Sequence, residues 1–354
     1  MTGSDQPRAT NGSSQTSAIY QRVALVGCGH RFAASVAPTL RQANVAVALA
    51  ADPDPRALDL VTAIAPYAED LIMTGSLTQQ RLLDAQVDAI IISSPSGLHF
   101  EHCITALACG LPTFVEKPLA CSAPDARRLQ AASHGRLVAS EQRMHREDLR
   151  YARSIIRSGV LGEISELRYY DSITPAPHFA RTWRNNPRLA GGGILLDLGY
   201  HTVSSVQWLL DLGSEDIVVT KARLETSALQ VEDAAQIACT AAGVKVSLDI
   251  RLVELAPREL VFVKGALGEL RLYRPRKRPP VAEISVEVRG REPARHQLPL
   301  DYRTDSRVLL DFLCGRTEAH KLERHIDALE FLEQAYDCSS LQEEVRQDAV
   351  EGLG

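Results

Sequence analysis

Arg22-Val-Ala-Leu-Val-Gly27-Cys28-Gly29-His30-Arg31-Phe32 is the stretch that decides the fold of the first half of this chain. A short apolar run ends at a glycine pair and a helical pattern follows at once, so it reads as strand, tight turn and helix. Gly27 permits the turn. Gly29 removes a side chain, so backbone N–H groups and the helix N-terminus can approach a pyrophosphate. Phe32 stands where a dinucleotide fingerprint would place its third glycine, which alters helix–strand packing more than the phosphate contact. Asp52 ends the next apolar run, 25 residues after Gly27. A carboxylate there accepts both ribose hydroxyls of NAD and repels a 2′-phosphate, so NAD is favoured over NADP. Arg31 and Arg56 are nearby cations that moderate the preference. Within Asp-Pro-Asp-Pro, Asp52 also reads as a plain strand-end turn residue.

Outward from this stretch, apolar runs at 22–27, 45–51, 89–93, 112–116 and 137–140 alternate with amphipathic segments near 31–43, 55–65, 77–85, 97–109 and 122–133. Strands that are apolar throughout, separated by helices, predict a parallel sheet covered on both faces. Pro38 inside the first helical segment predicts a kink or a late helix start. After residue 142 the rhythm changes. A helix is expected over 145–158, then strands at 164–173, 217–226, 234–240, 244–252, 260–264, 269–273 and 281–288, several alternating polar with apolar residues. That pattern predicts a mostly antiparallel sheet with one covered face. Helices near 303–314 and 324–340 close the chain.

The 354 residues suit two domains, and 39 basic against 44 acidic residues give a net charge of −5. No global electrostatic case exists for nucleic acid or an anionic membrane. The longest stretch without Asp, Glu, Lys or Arg, His102 to Val115, is too short to span a membrane and is broken by Gly110 and Pro112. Residues 1–20 are polar and read as a disordered leader. Seven cysteines scattered through apolar runs fit reduced thiols in the cytoplasm.

Ser94-Pro95-Ser96-Gly97 ends the 89–93 strand and Glu116-Lys117-Pro118 ends the 112–116 strand, so both face one crevice beyond the carboxyl ends of the sheet. Gly191-Gly-Gly-Ile-Leu-Leu-Asp197-Leu-Gly-Tyr200-His201 follows in the second half. Its glycines let the chain pass close to a ligand or to another backbone. Asp197 and His201 are four residues apart, so on one helix they share a face, and a carboxylate beside an imidazole prepares a general acid/base. A surface Asp/His pair on a glycine hinge reads equally from the residues alone. His99, His102 and Cys103 lack a converging fourth ligand, so no metal is expected. The basic run Arg271–Arg278 reads as a solvated inter-strand loop, or as a contact for an anionic substrate such as a nucleotide-sugar.

Taken in order, these segments resemble the glucose–fructose oxidoreductase/inositol dehydrogenase (Gfo/Idh/MocA) family. The likeness runs through the glycine turn at 27–29, SSPSGLH at 93–99, EKP at 116–118, Gln142-Arg143, the SGVLGEI segment at 158–164, Trp183-Arg184, the D-x-G-x-H of 197–201, and Glu232-Asp233. It implies a doubly wound Rossmann domain over 21–141. Residues 142–354 are implied to form an α/β substrate and oligomerisation domain, with an open mixed sheet that serves a homodimer or homotetramer. The implied activity is hydride transfer between nicotinamide and a secondary alcohol or ketone of a sugar, cyclitol or related polyol. A same-fold reductase on a non-carbohydrate substrate and a non-catalytic nucleotide-binding sensor are the alternatives. Lys117, Asp197 and His201 become the catalytic group, with Asp197 orienting the imidazole or contacting the substrate hydroxyl. Gly27, Cys28, Gly29, His30, Arg31, Phe32, Asp52, Ser94, Pro95, His99, Glu116, Lys117, Trp183 and Arg184 would line the cofactor. Gln142, Arg143, Tyr170, Asp171, His178, Arg181 and Tyr200 are substrate-pocket candidates by position.

Overall fold

The computed structural model describes residues 18–65, 70–72, 77–175, 179–227, 229–253, 258–275, 281–300, 304–316 and 322–351. The expected leader up to residue 17, His178 and residues 276–278 of the basic run lie outside the described residues.

Strands β1 (Arg22–Val26), β2 (Ala46–Ala51), β3 (Asp70–Ile72), β4 (Ala89–Ile92), β5 (Thr113–Val115) and β6 (Leu137–Ala139) form a sheet in the order β3-β2-β1-β4-β5-β6. Every pairing in it is parallel. Along β1, Val23 and Leu25 enter one core while Ala24 and Val26 enter the other, which is why the strand is apolar at every position. The strand order reverses between β1 and β4, and the crevice opens there, beyond their carboxyl ends. Helices α1 (Ala37–Ala43), α2 (Pro55–Ile64), α3 (Gln79–Asp84), α4 (His99–Ala108) and α5 (Ala123–Ser133) connect the strands. The helical segment already begins at His30 and is π-helical over Phe32–Val36, so Pro38, in the first turn of α1, follows a change of winding and not a late start. β3 escaped the sequence reading because three residues carry too short a pattern.

Helix α6 (Glu147–Arg157) leads into the second half. Strands β7 (Ile164–Ile173), β8 (Ile217–Glu225), β9 (Ala234–Ala241), β10 (Val244–Leu252), β11 (Arg258–Gly265), β12 (Gly268–Pro275), β13 (Val281–Val288) and β14 (Ala294–Pro299) form one sheet ordered β14-β13-β12-β11-β7-β10-β9-β8. Only the β7–β10 pairing is parallel, so the sheet is mixed and mostly antiparallel. Leu167, Tyr169, Leu248, Ile250, Val261 and Val263 point into the core. On the other face Arg168 and Arg271 lie over the Phe262 ring and Arg258 over Tyr170.

Helices α7 (Pro187–Ala190) and α8 (Tyr200–Leu210) sit between β7 and β8, and α9 (Thr304–Leu313) and α10 (Leu322–Glu351) follow β14. α9 crosses back to the first sheet. Its Phe312 ring lies 5.8 Å from that of Phe114 and 5.2 Å from that of Tyr20. This helix therefore completes the cover of the parallel sheet, although the sequence reading grouped all residues from 142 onward together. No helix among the described residues is long and apolar enough to cross a membrane.

Candidate active site

A cavity of about 950 Å3 lies beyond the carboxyl ends of the parallel strands and continues to the edge of the second sheet. Its first wall is made mainly by backbone. Gly27 holds φ +83°, and a Cβ there would meet the Ser94 nitrogen at 2.5 Å, so only glycine fits the turn. Gly29 is the opposite case: a Cβ built on it meets nothing within 4 Å, so the space above the turn is open to a ligand. Asp52 closes this end. One of its oxygens accepts the Cys28 N–H at 2.7 Å and the other the Asp54 N–H at 2.9 Å, which fixes the carboxylate at the mouth. Arg31 is paired with Glu116 at 2.8 Å across the crevice, and Arg56 with Asp54 at 2.8 Å outside it.

The middle of the cavity holds the charged groups. Lys117 extends from the end of β5, and its Nζ donates to the Asp197 carboxylate at 2.7 Å and to the Asp197 carbonyl at 2.8 Å. The second Asp197 oxygen accepts from Arg184 Nε at 3.2 Å, and the Arg184 guanidinium lies over the Trp183 ring. Burial alone would raise the Asp197 pKa. The Lys117 and Arg184 cations overcome it and hold the carboxyl at about 2. His201 lines the same space from α8.

The expected pairing of Asp197 with the His201 imidazole is replaced by two other pairings. Asp197 engages Lys117 and Arg184, while the carboxylate set against the His201 ring is that of Glu141, with Oε1 3.8 Å from Nδ1. The reason is the winding of Leu195–Gly199, a π-helical turn whose wider i→i+5 pattern removes the i, i+4 alignment of residues 197 and 201. That turn is pinned at its start by Glu232, which accepts the Gly193 N–H at 2.8 Å and the Leu195 N–H at 3.2 Å. A Cβ on Gly193 would strike the Glu232 carbonyl oxygen at 2.1 Å, so this glycine serves a backbone approach.

Of the cofactor candidates, Gly27, Gly29, His30, Arg31, Asp52, Ser94, Pro95, His99, Glu116, Lys117, Trp183 and Arg184 line the cavity. Cys28 and Phe32 do not present their side chains to it; both are fully buried in the core, so the missing third glycine is replaced by a packed ring. His99 is almost wholly buried, with ring nitrogens 2.7 Å from the Pro118 carbonyl oxygen and 2.9 Å from that of Ser94. It ties the two strand ends together rather than offering a hydrogen bond to a ligand, and burial pushes its pKa down against the pull of both carbonyls.

Of the substrate candidates, Gln142 and Arg143 line the cavity. Arg143 is paired at 2.6 Å with Asp171, which is fully buried beneath it. Tyr170 alternates to the far face of the second sheet under Arg258, as the period of a strand requires. Tyr200 is fully buried with its hydroxyl on His325, and Arg181 is exposed on a surface turn away from the cavity lining.

Sequence reasoning missed the far end of the cavity, lined by His145, Arg146, Arg150 and Arg274, and by Arg307, which lines the cavity from α9. Buried Glu259 accepts from Arg146 at 2.9 Å and from Arg274 at 3.0 Å, and Arg146 also engages Asp148. Arg274 belongs to the run read as a solvated loop. It is instead on β12 and buried, while Arg271 on the opposite face is exposed. Glu141 was missed as well, although it follows β6 and the rule applied to the ends of β4 and β5 covers that strand too.

A family model described as "Oxidoreductase family, NAD-binding Rossmann fold" matches residues 21–140, and the GFO/IDH/MocA C-terminal domain matches residues 149–273. Among curated proteins, the 1,5-anhydro-D-fructose reductase of Ensifer adhaerens is 30% identical over 152 residues. That is 42% of this chain and 45% of the relative, so the match spans under half of its length. Among solved structures, KijD10, a 3-ketoreductase from Actinomadura kijaniata in complex with NADP and TDP-benzene, superposes with a TM-score of 0.75 at 21% identity. The superposition covers 90% of this chain and 97% of that one. GenD2 from gentamicin A biosynthesis, in complex with NAD, gives 0.73 at 24% identity, covering 90% and 94%. Both share the fold of this chain.

Proposed function

Because the chain belongs to the Gfo/Idh/MocA oxidoreductase family, we propose that the cavity binds NAD at the Gly29–Asp52 end and, beside it, a sugar, cyclitol or related polyol. The observation that carries this reading is the meeting of Lys117, Asp197 and His201 in one space with the glycine turn. The open space over Gly29, the amides of the turn and the fixed Asp52 carboxylate fit a dinucleotide, with the pyrophosphate over the turn and the ribose hydroxyls at Asp52. The nicotinamide, when bound, supplies the hydride acceptor or donor.

This chain's residues handle charge and protons. Lys117 stabilises the negative charge that develops on the substrate oxygen, aimed at the transition state rather than the ground state. Asp197 keeps the ammonium in place from two oxygens, one of them its own carbonyl. His201 takes the hydroxyl proton in oxidation and returns it in reduction. NAD is preferred to NADP because both cations near Asp52 already have carboxylate partners in Glu116 and Asp54. NADP in KijD10 and NAD in GenD2 are facts about those proteins, and the Asp52 carboxylate is the feature of this one that decides. The two sheets support a cofactor domain at 21–141 and a substrate domain beyond it, with α9 of the later segment packed back on the first sheet. The outer face of the second sheet, with Val218 and Tyr273 exposed, suits a second copy of the chain, as a dimer or tetramer. The seven cysteines are all free thiols, which fits a cytoplasmic protein.

The test is a screen that follows the absorbance of reduced nicotinamide in both directions over free sugars, inositols, amino-cyclitols and nucleotide-sugars. The expected result is turnover of at least one class with NAD(H). Binding of NAD without turnover of any class would favour the sensor.

A further inference from the structure

Glu141 is not used by the mechanism above, and it sits on a boundary. On one side is the His201 ring, which lines the catalytic cavity. On the other is a second cavity of about 250 Å3, lined by Glu141 itself with Ser204, Asp211, Arg324, His325 and Asp327. Glu141 is 5% exposed and His201 9%. The Nδ1 atom of His201 is the nitrogen turned to Glu141, so the ring edge carrying Nε2 is the one that can face substrate.

We propose that Glu141 is the positioning residue and proton partner of His201, and that the second cavity is the route by which the substrate proton reaches solvent. The proposal rests on the oxidoreductase reading given above. In the oxidation direction the substrate O–H bond breaks and an N–H bond forms at Nε2. The Nδ1–H bond then breaks, and an O–H bond forms at Glu141 Oε1. That proton finally leaves to water through the second cavity, and reduction runs the same path backwards. The His201 ring gains one proton at Nε2 and loses one at Nδ1, so it ends neutral with its proton on Nε2. The resting tautomer returns when Nε2 gives its proton to water and Nδ1 takes one from water, with no net change. The 3.8 Å gap is a resting distance that shortens when the imidazole is charged, or is bridged by one water.

The surroundings of Glu141 suit this role. Burial raises its pKa to about 7, against the opposing effects of the Arg143 N–H and guanidinium, the Ser204 hydroxyl and Lys117. A carboxylate in the ordinary range near 4 is a poor acceptor from an imidazolium, whereas one matched to imidazole exchanges a proton at little cost. The other titratable groups against it are Tyr200 on α8, whose pKa Glu141 helps to raise, and His325, Arg324 and Asp327 on α10. A carboxylate that holds the proton on Nδ1 also leaves Nε2 as the acceptor facing substrate.

The test begins without substrate. In 15N NMR of the full chain, assigned by His201→Ala, the resting His201 ring should carry its proton on Nδ1. Its titration should fall by about one pH unit in Glu141→Gln, because a nearby carboxylate favours the imidazolium. On a substrate from the screen, Glu141→Gln should lower kcat about ten- to a hundredfold, as loss of a proton-transfer partner does. The acid limb of its oxidation profile should move to lower pH, with KM for the dinucleotide unchanged. Glu141→Ala should be partly rescued by formate, which is small against the roughly 250 Å3 of the second cavity. A merely structural Glu141 would lower the melting temperature and leave the imidazole titration in place. An unmoved His201 titration together with a superimposable pH profile overturns the proposal. Absence of turnover by the wild-type chain would count against the oxidoreductase reading instead, and the NMR titration would still decide the pairing.

Discussion

The two ends of the catalytic cavity are built by different means. At the dinucleotide end the wall is backbone: a turn that only glycine can make at 27, an open position at 29, and a carboxylate at 52 held by two backbone N–H groups. At the substrate end the wall is side chains, many of them charged, fixed by other side chains. Arg143, Arg146 and Arg274 are 6–8% exposed and share the buried carboxylates Asp171, Asp148 and Glu259. The first kind of wall tolerates changes of side chain but not of backbone shape. The second depends on each ionic partner, and removing one partner from such a buried pair costs about 3–5 kcal/mol.

Substitutions at the side-chain end should have the largest effects. Lys117→Ala and His201→Ala should each lower turnover by about 10²–10⁴-fold, and His201→Ala should leave NAD affinity nearly unchanged. The double variant should be little worse than the poorer single, because residues acting as one unit are not additive. Steady-state kinetics beside NAD titration by fluorescence checks both points.

Next in size is a pH effect on stability. The folded-state pKa of Glu141 is raised, to about 7, so the folded protein holds a proton that the unfolded chain has released between roughly pH 4.3 and 7. Its contribution to stability therefore falls as pH rises through that window, and Glu141→Gln removes the fall. On the order of 2–3 kcal/mol should separate the variant's gain at pH 8 from that at pH 5. Denaturant melts at the two pH values measure it. Asp197 has the opposite sign. Its depressed pKa adds stability above the unfolded value near 4, and that stability is lost as pH drops towards about 2.

The backbone end is tested by a matched pair of glycine changes. Gly27→Ala should destabilise the fold by about 1–3 kcal/mol through strain at positive φ, before any contact is counted. Gly29→Ala should change stability by less than about 0.5 kcal/mol, and Gly29→Val should weaken NAD without unfolding the chain. Equal melting losses for the two alanine variants would show that the turn is not the constrained element. Cofactor specificity is read at Asp52. Asp52→Ser should narrow the NAD over NADP preference by about tenfold, near 1.4 kcal/mol, read by calorimetric titration of both dinucleotides.

What the sequence revealed divides along the same line. The parallel sheet was legible because strands buried on both faces are apolar at every position, and the glycine turn because backbone geometry is written in residue type. Lys117, Asp197 and His201 were legible as a group, and the structure brings them to one cavity. Their partners were not. Which carboxylate meets His201 depends on a π-helical turn that residue spacing does not announce. Tyr170 and Asp171 are neighbours in sequence and point to opposite faces of β7, so a list by position could not sort them. Arg274 looked like part of a solvated basic run until its partner Glu259, 15 residues earlier, came beside it through strand pairing.

In the proposed reaction, hydride passes directly between a substrate carbon and the dinucleotide held over the glycine turn. The most direct measurement uses a substrate from the screen carrying deuterium on the carbon that bears the oxidised hydroxyl, with the product dinucleotide analysed by proton NMR. The account predicts one deuterium at C4 of the nicotinamide, on a single face, with none appearing in solvent water. Deuterium found in the water, with an unlabelled C4, would contradict it.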